Sequence, residues 1–189
     1  MIRIGILGDI GSGKSYVAKN FGYPVFDADF EVSKLYKKDK KIFNKLNKIL
    51  SKYIYSFPIN KNEISRAILA NRYNLSKIVK VIHLEVRKKM KIFLKKNKNK
   101  KIVILDIPLL LENKINRKSD VLIFVDAKKN DIYKRLKKRK NFNVKLFKKL
   151  KNIQLPIEYK KKRSQFIIKN KYTNRSVKMA IKNILMKIK

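Results

Sequence analysis

Apolar residues along the chain follow two different spacings. Short runs that are almost wholly apolar occur at Ile2–Leu7, Pro24–Asp27, Ile102–Leu105, Val121–Val125 and Phe166–Ile168. Runs of this length, rich in β-branched residues, read as buried strands. Between and after them lie helical patterns: Lys14–Phe21, Lys128–Arg139, Asn143–Asn152, Pro156–Arg163 and Ser176–Ile188. From about Phe30 to Met90 the apolar positions recur every three or four residues, as in Ile78, Ile82, Val86 and Met90, which predicts helices. Tyr53–Ile59 reads as a loop between these helices, and Lys95–Lys101 as a basic turn. Near-continuous apolar strands separated by helices predict a parallel sheet covered on both faces. The expected organisation is one α/β domain, with a core of about residues 1–29 and 100–189 and a helical insertion at about 30–95.

Composition narrows the chemistry. The 189 residues are 44% hydrophobic and 34% charged, enough apolar material for a true core. Cysteine is absent, which excludes disulfides, thiolate metal sites and a cysteine nucleophile. His83 is the one histidine, so a His-rich metal site is excluded too. No apolar run is long enough to cross a bilayer, and the opening M-I-R-I-G-I-L lacks the pattern of a signal peptide. A cytoplasmic protein with no membrane partner is therefore expected. The formal net charge of +38 would ordinarily point to nucleic acid. However, only nine of the 51 basic residues are arginine, and the lysines spread evenly among Asn, Ile, Tyr and Phe. All of these have AT-rich codons, so base composition accounts for the charge. The charge should still attract polyanionic substrates, and RNA weakly, in a salt-dependent way.

The glycines carry the strongest signal. All five fall in the first 22 residues. Residues 8–15 read G-D-I-G-S-G-K-S, which fits the phosphate-loop pattern G-x-x-x-x-G-K-[ST] and sits between an apolar strand and a helix. Glycines let consecutive backbone N–H groups curl around phosphate oxygens, and the following helix adds its positive end. Gly8, Gly11, Ser12, Gly13, Lys14, Ser15 and the adjoining Tyr16 form the candidate nucleotide-phosphate-binding set, which would be the ATP site of a kinase. Lys14 is placed to reach the β- and γ-phosphates, and the Ser15 hydroxyl to ligate Mg²⁺.

A GTPase would need N-K-x-D, and Asn60-Lys61-Asn62-Glu63 fails at its last position. No glycine lies beyond Gly22, so neither a D-x-x-G switch nor a Gly-rich ABC signature exists. Compact kinases remain, and these need a group to orient the attacking hydroxyl. Asp27 and Asp29 follow the second strand, at the end that faces the ligand crevice in parallel sheets. Either could instead cap the helix that begins near Phe30.

At this point the chain resembles the dephospho-CoA kinase family, with segments in matching order across nearly its whole length. I-G-I-L-G-D-I-G-S-G-K-S resembles the family's phosphate-loop segment, and V-F-D-A-D at 25–29 its V-x-D-A-D motif. V-I-H at 81–83 resembles I-H-P, and L-D-I-P-L-L-L-E at 105–112 resembles D-x-P-L-L-x-E. R-L-x-x-R at 135–139 is similar to the lid arginines, and Gln154 through Asn170 resembles Q…K…A-D-x-V-I-x-N. The chain departs from that pattern at Leu7, Asp9, Leu84, Ser164 and Gln165. Asp9 puts a carboxylate beside the phosphate site.

The resemblance implies a P-loop kinase-type parallel sheet flanked by helices, with a helical substrate-binding insertion and a small lid at about 135–160. It implies transfer of the ATP γ-phosphoryl group to the 3′-hydroxyl of dephospho-CoA by a monomer that needs Mg²⁺ and has no specific nucleic-acid partner. Asp29 would be the base, with Lys14 and Arg139 acting on the transferring group. Arg135 and Asn170 would join the ATP site, and Asp27, Asp29, Arg66, His83 and Glu112 would face the acceptor. Asp106 would sit behind a magnesium-bound water or cap a turn. From its pattern alone His83 reads as a structural hydrogen-bonding residue, and Phe26, Phe30, Tyr36 and Tyr53 read as core, with one or two open to the acceptor pocket. The rivals are another nucleoside or nucleotide kinase and an ATP-modulated RNA-binding protein.

Overall fold

The computed structural model describes residues 1–139 and 142–188; residues 140 and 141, inside the expected lid, and residue 189 lie outside the described residues. The strands are β1 (Ile2–Gly8), β2 (Val25–Asp27), β3 (Ile102–Asp106), β4 (Val121–Asp126) and β5 (Phe166–Lys169). The helices are α1 (Lys14–Asn20), α2 (Ala28–Lys38), α3 (Lys40–Leu50), α4 (Lys61–Ala70), α5 (Asn74–Lys96), α6 (Lys129–Lys137), α7 (Val144–Asn152), α8 (Ile157–Lys162) and α9 (Asn174–Lys187).

The strands form one parallel sheet in the order β2-β3-β1-β4-β5. The sequence pattern requires this arrangement, because β3 is buried at every residue and β1 at every residue after Ile2. Strands apolar on both faces must be covered on both. β1 is central, with Ile4 paired to Ile104 on one side and to Val121 on the other. Val17, Ala18 and Phe21 of the first helical segment and Val177, Ile181 and Ile184 of α9 join Ile4, Ile6, Ile104, Ile123 and Val125 in one core cluster.

The chain divides into two compact units. The core unit holds Met1–Asp27, Asn97–Phe142 and Lys151–Lys189; the helical unit holds Ala28–Lys96 and Asn143–Leu150. In the helical unit, α5 buries Ile78, Ile82, Val86 and Met90, the stripe read from the sequence. Asp39 caps α3 by accepting from Ile42 N at 3.1 Å, and Asn60 caps α4 by accepting from Asn62 N at 2.8 Å. The Lys149 ammonium donates to Ile68 O and Leu69 O, each at 2.9 Å, at the negative end of α4. Segment 143–150 is thereby tied to the helical unit. Of the four aromatics expected in the core or open to the acceptor pocket, Phe30 is outside the core: it is 57% exposed on the first turn of α2, with the Lys34 ammonium 4.4 Å from its ring centre. Its aliphatic neighbours sit on the other side of the helix, where Ala28 and Leu35 are buried.

The core unit also buries an ion pair. Arg3 of β1 donates to Asp120 Oδ2 at 3.0 Å, and the two side chains are only 6% and 1% exposed. Burial pushes the Asp120 carboxyl up and the Arg3 guanidinium down, against their mutual attraction. Such a pair adds little net stability, but losing one partner strands the other charge. Asp120→Ala is expected to cost ~3–5 kcal/mol, read as a lower urea midpoint; a midpoint equal to that of the unsubstituted protein would contradict this.

Candidate active site

β1 ends at Gly8 and α1 begins at Lys14, so the chain must reverse in the residues between them. Gly11 and Gly13 have φ of 86° and 92°, left-handed values that carry a strain for any residue with a Cβ. Space makes the same demand. A Cβ on Gly13 would run into the Asn170 side-chain amide, and one on Gly11 would lie 3.1 Å from both Ile132 and Leu136 of α6.

Within the loop, Asp9 O accepts from Ser12 N at 3.2 Å. Lys14 Nζ donates to Asp9 O at 2.8 Å and Gly8 O at 3.2 Å, so the ammonium is held over the hollow by main-chain carbonyls. Among the described residues no side chain caps the start of α1, which leaves this positive helix end available to an anion. The Ser12 hydroxyl is buried and makes no hydrogen bond among the described residues. Ser15 and Tyr16 are exposed on the first turn of α1.

The segment after β5 clamps this loop. Asn170 Nδ2 donates to Ser12 O at 2.8 Å, and Asn170 Oδ1 accepts from Tyr172 N at 2.8 Å. The Tyr172 hydroxyl donates to Gly11 O at 3.2 Å. Arg135 of α6 stacks its guanidinium 4.3 Å from the centre of the Tyr172 ring. Burial raises the Tyr172 phenol above its ordinary range, against the pull of Arg135 and with a push from Asp131. Asn170, Arg135 and the loop glycines are thus brought together. Tyr172 is a site residue the sequence reading missed; its position two residues beyond Asn170, just past a strand, was the available signal. Arg139 is exposed just beyond α6, its N–H donating to Leu136 O at 3.0 Å.

Carboxylates line the same edge of the sheet. Asp27 and Asp106 end β2 and β3 as register partners, and Asp106 is 4% exposed. With the Ser15 hydroxyl they are hard oxygen donors, the chemistry Mg²⁺ prefers. Among the described residues no group of three or more His, Asp or Glu side chains could hold a metal by itself. Mg²⁺ in nucleotide sites takes one or two side chains plus phosphate oxygens and waters, so the donor set present fits that mode.

Glu112 sits in a buried clamp. Its Oε1 lies 2.7 Å from Lys160 Nζ and accepts from Leu155 N at 3.0 Å. Lys160 is 2% exposed and also donates to Gln154 Oε1 at 2.9 Å. Glu112 Oε2 makes no hydrogen bond among the described residues.

In the helical unit, Asp29, Arg66 and His83 stand on α2, α4 and α5. Asp29 is exposed in the first turn of α2, where a carboxylate also favours the helix dipole. Arg66 donates to the Tyr55 hydroxyl at 2.8 Å. Glu63, 3% exposed, accepts from Tyr55 N at 3.3 Å and from the Ser56 hydroxyl, which pins the loop before α4. Burial, with a contribution from Arg87, lowers the His83 imidazole below its usual range.

A parallel sheet whose central strand runs into a glycine loop, a lysine and a serine at the start of a helix is the P-loop nucleotide-binding fold. The chain belongs to the dephospho-CoA kinase family, whose family model matches residues 2–175. A dephospho-CoA kinase of Wolbachia sp. subsp. Brugia malayi is 38% identical over 129 residues, covering 66% of each chain. A crystal structure from Thermus thermophilus, 25% identical, superposes with a TM-score of 0.77 over 100% of this chain and 98% of that one. A dephospho-CoA kinase structure from Campylobacter jejuni, 20% identical, has the same fold, with a TM-score of 0.62 over 98% and 96%.

Two outcomes are expected from this geometry. Asn170→Ala removes the hydrogen bond to Ser12 O and the one that holds Tyr172 N, and should weaken MgATP binding by roughly 10- to 100-fold, at about 1–3 kcal/mol for a buried polar group left unpaired. Unchanged affinity in calorimetry would contradict the clamp. His83 should titrate below 6.5 in an NMR pH series, the ordinary value. Between that value and its folded value the unfolded chain binds the extra proton, so stability falls as pH drops below about 6.5. A midpoint at or above 6.5 would contradict this.

Proposed function

We propose that this chain transfers the γ-phosphoryl group of ATP to the 3′-hydroxyl of dephospho-CoA, giving coenzyme A and ADP. The observation that carries the reading is the family match over residues 2–175, which includes the phosphate loop with its lysine and serine. The matched relatives align over about two thirds of their length, 66% for the Wolbachia protein. Activity and acceptor are therefore read from the family together with the site's chemistry.

In this reading the loop amides from Gly11 to Gly13, with Gly8 and Ser12, receive the phosphates, and Tyr16 flanks them. Lys14 exchanges its carbonyl acceptors, Gly8 O and Asp9 O, for β- and γ-phosphate oxygens. Mg²⁺, when bound with ATP, screens the phosphate charge; Ser15 and, through water, Asp106 are the residues assigned to it. Asp29 takes the proton from the acceptor hydroxyl as its oxygen bonds to the γ-phosphorus and the bond to the bridging oxygen of ADP breaks. Asp27, Arg66, His83 and Glu112 are assigned to the acceptor side. A lowered imidazole leaves His83 neutral at pH 7, suited to orienting rather than charge pairing. Arg135 and Asn170 serve the nucleotide base end, and Arg139 approaches the transferring group from the lid at about 135–160. The helical unit serves as the acceptor-binding insertion.

We place the enzyme in the cytoplasm as a monomer acting on small molecules, with no specific nucleic-acid partner. Among the described residues no helix is long and apolar enough to cross a membrane.

An assay of ADP release should show strong preference for dephospho-CoA over AMP, CMP, dCMP and shikimate; preference for any of the others would overturn the acceptor assignment. Lys14→Ala should lower kcat/KM by roughly 100- to 1,000-fold or more. Asp29→Asn should lower kcat by roughly 100- to 10,000-fold with little change in KM for ATP; unchanged turnover would mean that another group receives the proton.

A further inference from the structure

Asp9 is the one acidic residue between Gly8 and Lys14, and its chemistry opposes a polyphosphate. The carboxylate is fixed in place. Asp9 Oδ1 accepts from Ile10 N at 2.8 Å, and the side chain is 11% exposed. Its main-chain carbonyl accepts from Lys14 Nζ at 2.8 Å and Ser12 N at 3.2 Å, so the residue is built into the loop, while the Ile10 N–H and Lys151 hold its carboxylate. A negative charge carried on the loop itself raises the free energy of binding phosphates there. The structure supplies its counter-charge. Lys151 Nζ lies 3.4 Å from Asp9 Oδ2 within the core unit, and this lysine is half exposed at 48%. Lys151 lies near the end of α7, far from the loop in sequence.

We propose that Lys151 is a positioning residue of the nucleotide site, whose ammonium cancels the Asp9 carboxylate so that the loop presents a net positive field to the triphosphate. The two residues act as one unit. The carboxylate holds Lys151 at the loop, and the lysine makes the carboxylate tolerable. Removing the lysine alone exposes the acid to the phosphates, whereas removing both charges returns the loop to the balance of an all-neutral loop with Lys14 as its cation. The inference rests on the reading that this loop binds a nucleoside triphosphate, and it is independent of the acceptor.

The test is a double-mutant cycle read by calorimetric binding of MgATP without any acceptor. Lys151→Met should weaken binding by roughly two- to fivefold, the scale of a partly exposed charge pair. The loss should shrink as salt rises from about 0.05 to about 0.5 M, because the exposed side of the pair is screened. Asp9→Asn in the Lys151→Met background keeps the acceptor for Ile10 N, removes the charge and should recover most of the affinity; Asp9→Gly in that background should do the same. Lys151→Arg should retain binding. In turnover, Lys151→Met should raise KM for ATP and leave kcat little changed, a split that a packing role would not give. Equal affinity of Lys151→Met and the unsubstituted protein, or failure of both Asp9 substitutions to recover what Lys151→Met loses, would overturn the inference. If the unsubstituted protein does not bind MgATP, the nucleotide-site reading falls, and this inference with it.

Discussion

The phosphate loop can exist in its present shape only because Gly11 and Gly13 have no side chains. At Gly13 the Asn170 amide occupies the place of a Cβ, and at Gly11 the flank of α6 presses in through Ile132 and Leu136. These contacts close the loop around its own hollow and hold the amides in one conformation before any ligand arrives. Preorganised donors of this kind lose little on binding and act where water is partly excluded. The rest of the core unit serves that constraint. β1 delivers the loop from the centre of a sheet buried on both sides, and the residues after β5 reach back to lock it.

The charge balance follows from the same geometry. A lysine-rich chain would bind polyphosphate loosely wherever lysines gather. In the loop, by contrast, cationic groups are placed. Lys14 is suspended by two carbonyls, Arg135 lies against the Tyr172 ring, and Lys151 faces Asp9. The buried Lys160–Glu112 clamp and the Arg3–Asp120 pair show a different use of charge, in which both partners are withdrawn from water. Such pairs fix geometry more than they stabilise it.

Sheet class and phosphate loop were legible in the sequence because their signals are local. Apolar runs with no polar alternation specify a doubly covered parallel strand, and a chain with five glycines, all in its first 22 residues, marks the place where backbone must turn tightly. The stripe from Ile78 to Met90 was legible for the same reason. Tyr172, Lys151 and Lys160 were not. Each acts through a partner far away in the chain, and in a sequence with so many lysines no single lysine stands out. Lys149 shows the same limit: its tie to the carbonyls of Ile68 and Leu69 assigns residues 143–150 to the helical unit, which no local pattern announces. Residue type alone did not separate the core aromatics from any open to the acceptor pocket; the buried face of α2 runs through Ala28 and Leu35 and leaves Phe30 exposed.

The glycine distribution also offers the most direct measurement. Five glycine amides should give a sparse, resolvable region in a ¹H–¹⁵N spectrum of the whole protein. On titration with MgADP, the signals of Gly8, Gly11 and Gly13 should move strongly and together, while Gly22, at the open turn after α1, stays nearly still. Loop glycines that remain unmoved at saturating nucleotide, or shifts confined to other parts of the chain, would contradict the account.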